Sequence, residues 1–94
     1  MATLSTQAAL EQLSRLPGWG LENGAISRQF TFAGFPEAMA FVVRVGFAAE
    51  AADHHPDIDI RWRKVTLRLI THDAGGLTWR DTALASACDD ALSA

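Results

Sequence analysis

Tyrosine is absent from this chain, cysteine occurs once (Cys88), and cationic side chains are in the minority, with 8 Lys+Arg against 11 Asp+Glu. A single cysteine excludes an internal disulfide and fits a reducing compartment. The formal net charge of −3 argues against nucleic-acid backbone as the main partner, because no basic excess exists to neutralise phosphates. No apolar run approaches the roughly 18 residues of a membrane span, so no membrane contact is expected. The N-terminus, Met-Ala-Thr-Leu-Ser-Thr-Gln, has neither a basic region nor an apolar run. No secretory signal is therefore expected, and the expected location is cytoplasmic. There is no glycine-rich phosphate loop; Gly75-Gly76 reads as a two-residue turn. Repeats, linkers and low-complexity tracts are also missing.

What remains is 94 residues, 49% hydrophobic and 20% charged. That is one expected domain over 1–94, too short for two cores and too apolar for disorder. Such a chain buries only about 60–65% of its unfolded surface. Oligomerisation is one way to bury more.

Leu4, Leu10, Leu13 and Leu16 follow a helical spacing over 4–16, with Ser5 or Thr6 as cap and Pro17-Gly18 as stop. Asn23-Gly24 between two short runs predicts a hairpin, because both residues accept positive φ. Ile26, Arg28, Phe30 and Phe32 then alternate with polar residues, as in a half-buried strand. Pro36 and Glu37 suit the first turn of a second helix. That helix carries two apolar stripes, one of Phe35, Met39, Val42 and Gly46, the other of Phe41, Val45, Ala48 and Ala52. One stripe would suffice for a sheet contact, so the second predicts an oligomer contact.

Pro56 stops the helix near Asp53-His54-His55. Alternation through Ile58, Ile60 and Trp62, then Val65, Leu67 and Leu69, predicts a second hairpin turning near Arg63-Lys64. Parity puts Trp62 among the core residues. Thr78-Trp79-Arg80-Asp81 resembles a capping box opening a last helix over 79–92, with Leu84, Cys88, Ala91 and Leu92 on its apolar side. The order α-β-β-α-β-β-α makes an α+β fold with an antiparallel sheet.

All three histidines fall between positions 54 and 72. His54 and His55 sit where a helix stops, His72 where a strand ends, and Asp81 in the first turn of the next helix. Element ends are where loops open clefts on a rigid scaffold. An imidazole with an ordinary pKa of about 6.5 gives or takes a proton near neutrality. Each residue also has a structural reading. A histidine in a last helical turn stabilises the negative dipole end, and Asp81 stands where a capping acid belongs. Glu50 is most simply a solvated helix residue. Zinc is a competing chemistry for three histidines and an aspartate. However, adjacent helical residues point about 100° apart, so His54 and His55 are badly placed to chelate one ion. No metal and no cofactor are expected. Cys88, on an apolar stripe, is expected to be a buried, inert thiol.

Glu50-Ala51-Ala52-Asp53-His54-His55-Pro56, then Trp62, then Thr71-His72-Asp73-Ala74-Gly75-Gly76-Leu77-Thr78, then Asp81 resembles the signature of pterin-4a-carbinolamine dehydratases. In that pattern an aromatic follows the proline by six residues, a histidine comes ten later and an aspartate nine after that. Gly18-Trp19, Phe30-x-Phe32 and Leu84-Ala85 extend the resemblance over nearly the whole chain. The departures are the substituted aromatic, Trp62, and the lack of tyrosine.

The resemblance implies a four-stranded antiparallel sheet with three helices on one face, assembled as a homodimer or homotetramer. It implies a reaction: removal of water from 4a-hydroxytetrahydropterin, left by aromatic amino-acid hydroxylases, to give quinonoid dihydropterin. Hydroxide leaves C4a poorly without a proton, and N5 must lose its own. One general acid and one general base suffice, each contributing on the order of 10²–10⁴-fold. By the same resemblance His54 and His72 are the acid/base pair, and His55 binds and orients the pterin and shares in proton transfer. Asp81 holds one imidazole in the right tautomer, and Glu50 and Trp62 belong to the substrate site. Some family members are binding modules instead, either a dimerisation cofactor for a homeodomain transcription factor or an assembly chaperone for a carbon-fixing enzyme. Erosion of the histidine motif is typical of the chaperone-like members, whereas all its positions are present here.

Overall fold

A computed structural model describes residues 2–93. It contains helix α1 (Thr6–Leu13), strands β1 (Gly20–Glu22) and β2 (Ala25–Thr31), and helix α2 (Phe35–Ala52). Strands β3 (Asp57–Arg61) and β4 (Lys64–Leu69) follow, then a 3-10 turn (His72–Ala74), helix α3 (Trp79–Asp90) and a second 3-10 turn (Ala91–Ser93). The fold is α+β, with the predicted element order and a four-stranded antiparallel sheet ordered β1-β2-β4-β3.

Local chemistry explains most boundaries. Ser5 is the cap of α1, its hydroxyl accepting from the Ala8 N–H at 3.1 Å. The helix is shorter than the expected 4–16. Gly18, at φ 93, and Pro17 force an exit, and the chain tightens through bonds from Arg15 N–H to Gln12 and from Leu16 N–H to Leu13. Asn23 and Gly24 both take positive φ, 47 and 81, as the first hairpin requires. Pro36 opens α2 with Glu37 in its first turn. The last helix ends at Asp90, and Leu92 lies on the 3-10 turn, exposed, where continuation of the apolar side was expected.

Cross-strand register puts Ile26 opposite Leu69 and Phe30 opposite Val65. These four are buried against Ala38, Phe41, Val45 and Ala49 of α2, Ala9 and Leu13 of α1, and Leu84, Ala85 and Cys88 of α3. The core thus lies between one sheet face and three helices. Phe41 sits at its centre, its ring 4.7 Å from Phe30 and 5.1 Å from Phe32. Asp89 ties α3 to the sheet by accepting from Arg28 at 2.8 Å and from the Trp19 indole at 2.9 Å.

Two expectations are corrected. The buried stripe of α2 is Ala38, Phe41, Val45 and Ala49, while Ala52 is exposed and Ala48 half-buried. Its outer stripe is Phe35, Met39, Val43 and Phe47, at strict i, i+4 spacing, with Val42 turned partly to the core. The second hairpin turns at Trp62-Arg63, one residue earlier than expected, because Arg61 pairs with Lys64. That register keeps Ile58 opposite Leu67 and Ile60 opposite Val65, on one face. Trp62 is thereby displaced from the core to the turn, at φ 56 and 71% exposed. As an edge strand, β3 is exposed throughout, its two isoleucines included.

Candidate active site

The end of α2, the segment after β4 and the start of α3 meet at one place. Asp53 ends α2 in the left-handed region, φ 49, which a short polar side chain tolerates. The chain reverses there, and His54 is turned inward, 8% exposed, while His55 stays outside. The His54 Nε2 lies 2.6 Å from Oδ1 of Asp81, which is fully buried. Asp81 is the acid of the predicted capping box: its Oδ2 accepts from the Thr78 N–H at 2.9 Å. The same oxygen accepts from the Thr71 hydroxyl at 2.8 Å.

Donor bookkeeping fixes the protons. Thr71 spends its only hydroxyl proton on Asp81, so in the 2.8 Å contact between the two threonine hydroxyls Thr78 is the donor. The Thr78 oxygen in turn accepts from the Arg80 N–H at 3.2 Å. Every partner of Asp81 is a donor, a pattern that suits a carboxylate and requires N–H at His54 Nε2. Neutral His54 therefore carries its lone pair on Nδ1. No side-chain nitrogen or oxygen sealed from solvent lacks a partner among the described residues, and Nδ1 has none, so Nδ1 keeps access to solvent.

His72 opens the 3-10 turn after β4 and is exposed. That turn is closed by a bridge between Thr71 and Gly76, and its last bond, from the Gly75 N–H to the His72 carbonyl at 3.0 Å, uses φ 75 at Gly75. His55 pairs with Glu50 at 3.0 Å, with side chains 62% and 82% exposed, a contact that water screens heavily. His54, His55 and His72 line one open cleft of about 220 Å³ with Asp53, Asp73, Ile70, Thr71 and Arg80. A larger hollow of about 340 Å³ beside the start of α1 is lined by no group that titrates near neutrality, so it offers no acid/base chemistry.

Of the residues expected at the site, the three histidines and Asp81 come together. Glu50 reaches it only through His55. Trp62 does not: it stands at the far end of β3 from Pro56, roughly 20 Å of extended chain away. Sequence reasoning gave no role to Thr71 or Arg80 and read Thr78 as a cap alone. The one available signal was a threonine beside His72 at the end of an alternating strand. Trp79, 64% exposed, borders an apolar hollow of about 170 Å³ with Ala52, His54, Ala83, Leu84 and Ala87. Cys88 is buried, and burial followed by the charge of Asp89 pushes its thiol up to about 12, as an inert core thiol should be. Among the described residues, no three His, Cys, Asp or Glu side chains converge as a metal-binding group. No helix is long and apolar enough to cross a membrane.

Comparison with known proteins identifies the family and the fold. The Pterin 4 alpha carbinolamine dehydratase family matches residues 2–91. A protein of Chloroflexus aurantiacus, provisionally named a pterin-4-alpha-carbinolamine dehydratase, is 56% identical over 98% of this chain and 99% of its own. One of Acidobacterium capsulatum with the same provisional name is 52% identical over 98% of this chain and 100% of its own. The crystal structure of a transcriptional coactivator/pterin dehydratase from Brucella melitensis superposes with a TM-score of 0.93 at 30% identity, covering 97% of this chain and 99% of that one. A pterin dehydratase-like RuBisCO assembly factor of the alpha-carboxysome shares the fold, with a TM-score of 0.66 at 18% identity over 81% of this chain and 88% of that one. Matched end to end by sequence and by backbone, the chain belongs to the pterin-4-alpha-carbinolamine dehydratase family.

Proposed function

We propose that this chain dehydrates 4a-hydroxytetrahydropterin to quinonoid dihydropterin by histidine acid/base catalysis, recycling the cofactor of aromatic amino-acid hydroxylases. The observation that carries the reading is the buried Asp81–His54 contact, which leaves Nδ1 without a protein partner on a histidine that lines one cleft with His55 and His72. The C4a–O bond breaks and the oxygen departs as water with a proton from the protein. The C4a–N5 double bond forms as N5 loses its proton. Neutral His54 is set up as the base, and the Asp81 carboxylate stabilises the imidazolium that results. His72 serves as the acid, and His55 orients the planar substrate. Neither metal nor redox chemistry enters this balance.

The alternative, a binding module without catalysis, draws on the outer stripe of α2. Phe35 is 47% exposed, Val43 55% and Phe47 76%, an apolar band that a monomer rarely leaves bare. We assign that band to a second copy of this chain, in a homodimer or homotetramer, on a surface separate from the cleft.

Stopped-flow absorbance of 4a-hydroxytetrahydropterin breakdown tests the enzyme reading. Acceleration at catalytic protein concentration is expected. A rate equal to that in buffer leaves only the binding module.

A further inference from the structure

We infer that Arg80 is a positioning residue for the proton-transfer site, clamping the backbone that carries His54 and His55. The inference deepens the dehydratase reading and rests on it. The last carbonyls of any helix lack intrahelical partners. In a continuing helix the Ala52 carbonyl would accept from residue 56, but residue 56 is Pro56, which has no N–H. The Asp53 carbonyl would accept from Asp57, which belongs instead to β3. Both acceptors are taken by one atom, Nη2 of Arg80, which donates to Ala52 at 3.4 Å and to Asp53 more closely.

The neighbour of Arg80 in the first turn of α3 is Asp81, which holds the His54 ring. Adjacent residues of α3 thus grip the adjacent residues just past the end of α2, Arg80 on Asp53 and Asp81 on His54. A single bond to Nε2 leaves the ring free to swing about that contact. A second anchor on the preceding peptide fixes the direction of the chain, and with it the aim of Nδ1. The Arg80 backbone N–H donates to Thr78 Oγ1, so the clamp is built into the threonine network that also holds Asp81. Arg80 lines the histidine cleft and also borders the apolar hollow behind His54.

The test compares Arg80→Met, which keeps the aliphatic stem and removes every donor, with Arg80→Lys, which keeps a charge and a donor without the planar fork. Three readouts are taken on the full chain: dehydratase kcat and KM, thermal midpoint, and the ring nitrogen signals of His54 in ¹⁵N-histidine-labelled protein. Expected for Arg80→Met is a folded protein whose kcat falls on the order of 10²-fold. KM should change much less, and the His54 signal should lose its single Nε2–H tautomer. Arg80→Lys should recover part of kcat. A folded Arg80→Met variant with wild-type kcat and an unchanged His54 signal overturns the proposal. Loss of fold in both variants also overturns it, by making Arg80 a fold anchor. If the wild type itself does not dehydrate the pterin, the dehydratase reading fails and the His54 signal alone decides the clamp, disturbed in Arg80→Met or not.

Discussion

Replacing Asp81 by asparagine changes one atom in the least exposed part of the site and should do two separable things. The carboxylate accepts three hydrogen bonds, from His54 Nε2, Thr71 Oγ1 and the Thr78 N–H. An asparagine that turns its carbonyl toward the threonines keeps two of them and presents an NH₂ to His54. Donor then faces donor, and the ring must move its proton to Nδ1 to recover a bond. That places the lone pair on the buried nitrogen and the proton toward the cleft, which removes the base. The expected loss in kcat is on the order of 10²–10⁴-fold, the range a positioned acid or base contributes. Losing the charge-assisted character of buried bonds should cost about 2 kcal/mol. For a domain of this size that lowers Tm by roughly 10 °C. Stopped-flow kinetics and the histidine ring nitrogen signals read the first effect, and a circular-dichroism melt reads the second. An Asp81→Asn protein with wild-type kcat, or with His54 still protonated on Nε2, refutes the tautomer argument.

The other expected outcomes follow from the same geometry. His54→Ala and His72→Ala should each lose most activity in the stopped-flow assay. Only the first should lower Tm, since it strips a donor from buried Asp81 at about 1–3 kcal/mol while His72 is exposed; full rates in both would show the site to be misassigned. Cys88 should resist iodoacetamide at pH 8 in the folded protein and react after denaturation. Its thiol sits higher folded than unfolded, so its stabilisation is complete below its ordinary value of 9.0 and is lost as pH rises from there to about 12. Denaturant melts across that window check the sign, and rising stability would contradict it. Phe47→Glu touches no core contact, so it should leave the monomer folded while reducing the assembly mass measured by light scattering. A wild type that is already monomeric, or a mutant of unchanged mass, would remove α2 from the interface.

Much of the fold was legible because its signals are local. Asn23-Gly24 specifies a turn through two backbone conformations, Pro36 and Glu37 start a helix, and Thr78 and Asp81 satisfy each other three residues apart. The histidines were legible as a group because element ends gather them. The misreading of Trp62 has a plain cause: alternation gives parity but not the residue at which a hairpin turns. Cross-strand packing of Ile58 on Leu67 and Ile60 on Val65 made that choice. The outer face of α2 was misdrawn for a related reason. Two apolar stripes differ by one or two residues, and only the sheet beneath decides which is covered.

The sequence by itself determined the element order, the capping acid and the presence of three imidazoles at element ends, since each depends on residues within a few positions of one another. Only the tertiary structure decided what those groups do together. It set Asp81 against His54 across 27 residues, drew Thr71 into the same buried network, and gave Arg80 the Ala52 carbonyl that Pro56 leaves without a donor. Those pairings depend on how the start of α3 stacks on the end of α2, a geometry no local propensity encodes, and they settle which nitrogen of His54 faces Asp81.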